Sequence, residues 1–252
     1  MLNRSSRPEP GHSAGVAAIR SENARWVKAA PIARHLVPPP RSAARRALKR
    51  RFPRLARGVI AVLDPFYRLR FRLQYKPDRR VLEDVIFPTL LAREDVRRVL
   101  FVGSAWYTRT YGNRFHDREF WTIDVDERVR KYGGERHIVA SITTIAEHFD
   151  PESLDVVVCN GVVGFGLDSE DDCDRAFAGA YRCLRPGGLL IIGWDDADGC
   201  RPAVPLESLA SLRAFQPYVL PPFPSWRYPT FSPLGHTFDF YARPRLEPRA
   251  GG

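Results

Sequence analysis

Short apolar runs alternate with longer polar or amphipathic stretches through the central part of this chain. The runs are residues 99–102, 120–123, 137–139, 154–159 and 189–194. Between the last two, residues 171–184 have the length and the apolar spacing of an amphipathic helix. Strands that alternate with helices along a chain are typical of a parallel sheet covered by helices. The pattern therefore predicts an α/β fold.

Weaker patterns extend this architecture on both sides. Residues 79–94 are predicted to form a helix, with Asp78 as its N-cap. Downstream, residues 205–215 look helical, and residues 235–242 alternate as a final strand. The stretch between them, residues 217–233, holds aromatic side chains among prolines and is predicted to be a loop or a lid over a pocket.

Charge is distributed unevenly along the 252 residues, whose formal net charge is +10. Residues 1–80 contain 20 Lys or Arg and 4 Asp or Glu, whereas the remainder contains 19 and 25. An acidic main domain argues against a chain that binds nucleic acid as a whole. With the proline run near residue 40, the composition predicts a disordered basic tail, a basic amphipathic extension, a main domain and a second disordered tail. Their bounds are 1–40, 41–77, 78–245 and 246–252.

Arginines interleave with aromatic and aliphatic side chains over residues 41–72. Such a segment would bind phosphates through charge and apolar anchoring. An anionic membrane surface, or a lipid or polyanionic glycan acceptor, is favoured over nucleic acid because no nucleic-acid module is recognisable; a solvated basic arm is the open alternative. The chain has no 18-residue apolar run and no secretory-type leader. We therefore expect a cytoplasmic protein that could be peripheral to a membrane.

A glycine and an acid follow the first two predicted strands. Gly103 ends the first, and Asp124, 21 positions later, ends the second. Glycine lets a ligand approach the backbone, and an acid in this position accepts hydrogen bonds from a ribose diol. The spacing is close to the roughly 20 residues typical of nucleotide sites. Each residue also has a structural alternative: Gly103 as a simple turn, and Asp124 as the cap of a helix beginning near Glu127.

Together with two further motifs, these residues resemble class I S-adenosylmethionine-dependent methyltransferases over about residues 98–194. The fourth strand reads Leu-Asp-Val-Val and is followed by Asn160, and residues 184–188 read Leu-Arg-Pro-Gly-Gly, which is the most specific match. The family's glycine loop reads acid-x-Gly-x-Gly-x-Gly. Here its acid falls on Phe101, its second glycine on Ala105 and its third on Tyr107, so the loop must take another course.

The resemblance implies a Rossmann-like three-layer sandwich with a mostly parallel seven-stranded sheet, and S-adenosylmethionine as cofactor. It also implies that methyl transfer needs alignment more than side-chain chemistry, with Asn160 facing cofactor and acceptor, and Tyr107 or Trp106 beside the methyl group. Asn160 has an alternative as part of an Asn-Gly turn. The implied cofactor residues are Gly103, Ser104, Ala105, Asp124, Val125, Ser141, Ile142 and Asn160, with Ser141 accepting from the adenine amino group.

The remaining candidate residues show no sequence pattern that indicates a catalytic, metal-binding or disulfide role. The acids at 195, 196 and 198 could bind a cationic acceptor, but a solvated acidic loop is favoured, and Phe165 and Trp194 are expected in the core or a pocket wall. The histidines lack the spacing of a metal site or a nucleophile-base pair and are assigned structural or surface roles. No zinc or disulfide framework is predicted from the cysteines. These residues are His116, His137, His148 and His236, and Cys159, Cys173, Cys183 and Cys200.

The leading hypothesis is a methyltransferase that acts on an unidentified small-molecule, glycan or lipid acceptor. A degenerate methyltransferase-like domain serving as a binding or scaffold module competes with it, because Phe101 and Tyr107 replace an acid and a glycine. A nicotinamide-dependent oxidoreductase ranks last, since the chain lacks the Gly-x-Gly-x-x-Gly turn that seats a pyrophosphate.

Overall fold

The computed structural model describes residues 76–232 and 234–245. The predicted tails, 1–40 and 246–252, lie outside the described residues, as does the basic segment 41–72. None of the helices in the described part of the chain is long and apolar enough to cross a membrane.

Eight strands form one sheet, which confirms the mostly parallel α/β fold and adds one strand to the expected seven. The sheet order is β3-β2-β1-β4-β5-β8-β6, and β7 also pairs with β8. The five strands from β3 to β5 run parallel, and β8 is antiparallel to β5, β6 and β7. The strands are β1 (Arg98–Val102), β2 (Glu119–Asp124), β3 (Arg136–Val139), β4 (Leu154–Asn160), β5 (Leu184–Trp194), β6 (Gln216–Pro217), β7 (Arg227–Pro229) and β8 (Thr237–Ala242).

Alternate residues of the central strands enter two separate cores, one on each face of the sheet. Val99 and Phe101 pack on the same face as the N-terminal helical segment, while Leu100 and Val102 pack on the opposite face. The helices that cover these faces are α1 (Lys76–Arg80), α2 (Phe87–Leu91), α3 (Tyr111–Arg114) and α4 (Glu170–Cys183). Because both faces are covered, the strands read as continuous apolar runs instead of alternating ones.

The predicted N-terminal helix is present and already includes Lys76, the first described residue. α1 and α2 are joined by a π-helical segment, Val81–Ile86, so the helical run extends from Lys76 to Leu91. Asp78 therefore lies inside the first turn, and the prediction that it is an N-cap is wrong. Its side chain is directed into the protein and accepts a hydrogen bond from the Thr230 hydroxyl at 2.6 Å.

The C-terminal third departs most from the predicted elements. Residues 205–215 form two short 3₁₀ helices, Leu206–Ser208 and Leu212–Ala214, because their buried side chains recur every three residues. The described part of 217–233 is largely loop, as expected, but it does not line the cavity described below and is therefore not a lid over that cavity. Its aromatic and aliphatic side chains pack on the sheet face shared with α2. Those buried side chains are Leu220, Phe223 and Tyr228.

The Leu-Arg-Pro-Gly-Gly motif lies inside β5 and not before it. Gly187 has a φ of +79°, and the pairing register of β4 with β5 shifts between Leu154 and Val156. The expected turn is thus a local irregularity of the strand, where only glycine adopts the required backbone conformation at low cost.

Candidate functional site

A cavity of about 280 Å³ opens at the carboxyl ends of β1, β2 and β4. Ligands of open α/β sheets bind at this edge, because the parallel strands deliver their following loops to the same side. The chain's polar lining residues are Asp78, Arg79, Ser104, Tyr107, Thr108, Tyr111, Asp124, Ser141, Asn160, Asp195 and His236. The volume is near the lower end of the range for small-molecule sites, roughly 300–1,000 Å³.

Gly103 lies at the bend where β1 enters the cavity. Its φ is +87°, and a Cβ there would stand 3.0 Å from Cγ2 of Val162. Both observations require glycine, since L side chains rarely adopt this backbone conformation. Ser104, the next residue, lines the cavity, and its buried Oγ has no hydrogen-bond partner in the described structure. The turn thus presents bare backbone and an unused hydroxyl to a ligand.

Asp124 lies at the end of β2 and faces the same cavity. Its Oδ2 accepts a hydrogen bond from the Ser104 N–H at 2.7 Å, and its Oδ1 accepts one from the Asp126 N–H at 2.8 Å. A carboxylate offers about four acceptor positions, so both oxygens can still accept from hydroxyls. The alternative that Asp124 caps the following helix is wrong, because Asp126 is the N-cap of the 3₁₀ helix Glu127–Tyr132.

Of the other residues implied for a cofactor, two do not reach the cavity. Val125 and Ser141 line it, whereas Ala105 and Ile142 do not. Ile142 is buried in the core on the α4 face because its 3₁₀ helix packs against α4. The loop at Ala105 turns away, held by the hydroxyl of Thr108, which donates to the Ala105 carbonyl at 2.9 Å.

The Ser141 hydroxyl accepts hydrogen bonds from a neighbouring residue in the chain. Its Oγ accepts from the backbone N–H of Thr143 at 3.2 Å and from the Thr143 hydroxyl at 2.9 Å. A hydroxyl oxygen has two acceptor positions, and both are used. With this arrangement Ser141 can donate its own proton to a ligand atom, and its acceptance of a hydrogen bond from an adenine amino group stays a prediction.

The positions of Phe101 and Tyr107 explain how the glycine loop was replaced. Phe101 is buried in a cluster with Phe87 and Tyr111, with edge-to-face ring centroids 6.3 and 5.2 Å away. Tyr107 lines the cavity beneath the guanidinium of Arg79, 4.3 Å from its ring centroid, and the Tyr107 carbonyl accepts from Arg79 at 3.0 Å. Trp106 is not part of the lining. The loop is thus held by aromatic packing and by α1.

Asn160 ends β4, where it is part of a turn and also lines the cavity. Gly161 follows with a φ of +67°, as in an Asn-Gly turn, while the Asn160 side chain lines the cavity. The Oδ1 of Asn160 is 3.1 Å from Nε2 of His236. Gly193, the partner of Asn160 on β5, makes this contact possible: a Cβ at Gly193 would overlap Oδ1 of Asn160 and lie 2.9 Å from Nε2 of His236.

His236 and Asp195 form a buried pair that the sequence patterns did not reveal. The Nδ1 of His236 lies 2.5 Å from Oδ1 of Asp195, and the two residues are 3% and 2% exposed. Asp195 is thus no part of a solvated acidic loop, although its neighbours Asp196 and Asp198 are exposed. The informative sequence signal was position: Asp195 immediately follows β5, and His236 immediately precedes β8, which pairs with β5 in the antiparallel direction.

Asp78 completes this group from α1. Burial raises the pKa of the Asp78 carboxyl to about 6, although His236 and the hydroxyls of Thr230 and Ser232 partly oppose the shift. Burial would lower the pKa of His236, but the hydrogen bond with Asp195 and the charges of Asp78 and Asp195 outweigh it and raise the pKa. The His236 imidazole therefore lies between acidic groups at one end of the cavity, and these groups favour its protonated form.

Comparisons with known proteins agree with the fold. Residues 102–192 match the model of a methyltransferase domain. The N-methyltransferase NodS from Bradyrhizobium japonicum superposes with a TM-score of 0.51 at 15% sequence identity, over 67% of this chain and 98% of that chain. Another similar structure is the 1,6-didemethyltoxoflavin-N1-methyltransferase of Burkholderia thailandensis, at 18% identity, 68% and 84% coverage, and a TM-score of 0.45. No curated protein matches this sequence.

The family match begins at the end of β1 and stops within β5, so it covers Gly103, Asp124 and Asn160, the residues of the cavity that the strand ends supply. The resemblance seen in the sequence rested on the same segment. Residues 102–192 therefore match a methyltransferase domain, and the fold around them is similar to that of a solved N-methyltransferase.

Proposed function

We propose that this protein binds S-adenosylmethionine in the cavity and transfers its methyl group to an acceptor held at the Asn160 end. One observation carries the proposal: the Asp124 carboxylate lines the cavity at the end of β2 and accepts from the Ser104 N–H of a glycine turn that presents bare backbone, within the matched domain. This arrangement is suited to a ribose diol beside a ligand chain that must pass close to Gly103.

The residues present fit the cofactor from end to end. The Asp124 carboxylate would accept from the ribose hydroxyls, while the unused Ser104 hydroxyl and the Gly103 backbone line the path beside it. Ser141, whose hydroxyl is free to donate, would meet a ring nitrogen of the adenine next to the exposed side chain of Val125. Asn160 and Tyr107 would line the end of the cavity that is opposite the adenine.

When bound, S-adenosylmethionine supplies a methyl group already activated on a sulfonium. The protein's task is to align the acceptor and to exclude water, which requires walls and orienting groups more than an acid or a base. Tyr107 and Phe165 provide apolar wall, and the Asn160 side chain, fixed by His236, provides a polar orienting group. The replacements at positions 101 and 107, which motivated the scaffold alternative, leave this cavity open.

The proposal predicts selective binding of the family's cofactor. Calorimetric titration should give dissociation constants on the order of 1–100 µM for S-adenosylmethionine and S-adenosylhomocysteine, and no saturable binding of NADH, because the turn lacks a pyrophosphate seat. A folded protein that binds neither adenosyl ligand, or that binds NADH equally well, would contradict the proposal.

Methyl transfer itself is tested with radiolabelled S-adenosylmethionine. Candidate small-molecule, glycan and lipid acceptors are incubated with the protein, and labelled product is separated from cofactor. Transfer that depends on the protein supports a methyltransferase. Tight cofactor binding with no transfer to any acceptor would favour a binding module.

A further inference from the structure

The polar residues of the cavity follow the order of the strands, and this order separates two parts of the site. Cofactor groups are proposed for the ends of β3, β2, β1 and β4, where Ser141, Asp124, Gly103 and Asn160 lie in sequence across the sheet. Next across the sheet come β5 and β8, whose ends supply Asp195 and His236. These two residues therefore lie beyond the cofactor's reacting end.

Asp78 lies in this second part of the cavity, and one of its carboxylate oxygens lacks a hydrogen-bond partner in the described structure. It lines the cavity at 4% exposure, and its Oδ1 accepts from the Thr230 hydroxyl at 2.6 Å. Its Oδ2 is buried and has no hydrogen-bond partner in the described structure. A buried carboxylate oxygen without a donor is costly, so such an atom at a cavity wall indicates a place for a ligand's donor.

No neighbouring group donates to Oδ2 within hydrogen-bond geometry, although the Ser232 hydroxyl lies near enough to Asp78 to lower its pKa. Both ring nitrogens of His236 are engaged, Nδ1 with Asp195 and Nε2 with Asn160. The Oγ of Ser232 accepts from the backbone N–H of His236. Two carboxyl groups, Asp78 and Asp195, thus face a single imidazole. A ligand with a positively charged N–H group would donate a hydrogen bond to Asp78 Oδ2 and would also balance the charge of the second carboxylate.

We propose that Asp78 Oδ2, backed by the His236–Asp195 pair, forms a subsite that takes the N–H of a protonated amine. This proposal rests on the proposed function, because it assigns the amine to the methyl acceptor. The subsite selects acceptors that carry a cationic nitrogen and disfavours carboxylate or phosphate groups at this end. The raised pKa of Asp78 agrees with a carboxyl whose charge lacks compensation in the empty site.

The ammonium group at the amino-acid end of the cofactor is a second possible source of the N–H that Asp78 would bind. Asp78 contacts Thr230 and lies beside His236, on the β7–β8 side of the cavity, whereas the cofactor residues lie over β1 to β4. Strand order thus favours the acceptor as the source, and two measurements distinguish the sources.

The first measurement uses Asp78→Asn, which keeps an amide oxygen for Thr230 and removes the charge. S-adenosylhomocysteine and 5′-methylthioadenosine, which lacks the amino-acid end, are titrated into the wild type and the variant. Affinities for both should change by less than threefold. A loss of S-adenosylhomocysteine affinity of tenfold or more, with 5′-methylthioadenosine unaffected, would assign Asp78 to the cofactor and overturn the acceptor subsite.

The second measurement uses ethylammonium, ethanol and acetate as probes of matched size, at constant ionic strength, with and without S-adenosylhomocysteine. Binding is followed by the NMR signals of the His236 imidazole. Ethylammonium should bind at least tenfold more tightly than the other two, and Asp78→Asn should abolish the preference. The control Asp196→Asn removes an exposed carboxylate that does not line the cavity and should retain it.

Equal binding of the three probes, or an ethylammonium preference that survives in Asp78→Asn, would overturn the subsite. Because the probes are also tested without the adenosyl ligand, this result is independent of whether the wild type binds the cofactor. Failure of the wild type to bind S-adenosylhomocysteine would instead count against the proposed function.

Discussion

Asp124→Ala is expected to weaken S-adenosylhomocysteine binding by about 100-fold or more. Each hydrogen bond to a charged acceptor contributes roughly 1.5–3 kcal/mol, so losing two from a ribose diol corresponds to about 3–6 kcal/mol. Asp124 also accepts the Ser104 N–H, so its loss loosens the turn that the ligand must pass. Calorimetry on the folded variant measures the effect, and unchanged affinity would remove Asp124 from the site.

Asp126→Ala is the matched control for this experiment. Asp126 lies two residues away and caps the 3₁₀ helix by accepting from the Arg128 N–H, but it does not line the cavity. Its replacement should cost about 1 kcal/mol of stability as a lost cap and leave the ligand affinity within about threefold. A comparable loss of affinity in both variants would mean that the Asp124 effect reflects the loop and not contact with the ligand.

His236→Ala is expected to have the largest effect on folding stability. Removing one partner of a buried ion pair leaves the other charge uncompensated, at a cost of about 3–5 kcal/mol. Here the residues left behind are Asp195 and Asp78, both buried. The free energy of unfolding, measured with urea at pH 7, should fall by this amount. A fall below about 1 kcal/mol would show that the pair is not formed in solution.

The loss of unfolding free energy in His236→Ala, the deficit, should depend on pH. The pKa of His236 is raised in the folded state, so the stability from its charge is fully present below about 6.5 and is lost as pH rises through the folded value. Burial raises the pKa of Asp78 to about 6, so near pH 4 this carboxyl is protonated and needs no cation. The deficit therefore falls as pH rises through the folded pKa of His236, and it also falls toward pH 4, where Asp78 is protonated. His137→Ala, which removes a half-buried histidine outside the cavity, should show no such maximum.

Much of the sheet could be predicted because its signals are local. The apolar runs of β1, β2, β4 and β5 are short and continuous, as expected for strands covered on both faces. The helix predicted over residues 205–215 is present only as two short 3₁₀ helices, because Leu206, Leu209 and Leu212 are buried at three-residue spacing. Ser211 reinforces this local geometry, since its N–H and hydroxyl both donate to Asp174.

The candidate site was predictable on the cofactor side but not at its acidic end. Gly103 and Asp124 stand at strand ends that the apolar pattern itself marks. By contrast, His236 is 41 residues from Asp195 and 76 from Asn160, and these side chains meet only through the antiparallel pairing of β8 with β5. Asp78 was assigned to a helix cap because caps are a local rule, whereas its partner Thr230 is 152 residues away.

A crystal structure of the protein with S-adenosylhomocysteine tests the central claim most directly. The account predicts electron density in the cavity with the ribose hydroxyls on the Asp124 carboxylate, the adenine beside Ser141 and the sulfur directed toward Asn160. The Asp78 and His236 end should remain open for an acceptor. Ligand bound elsewhere, or bound in the reverse direction with its adenine against His236, would contradict the account.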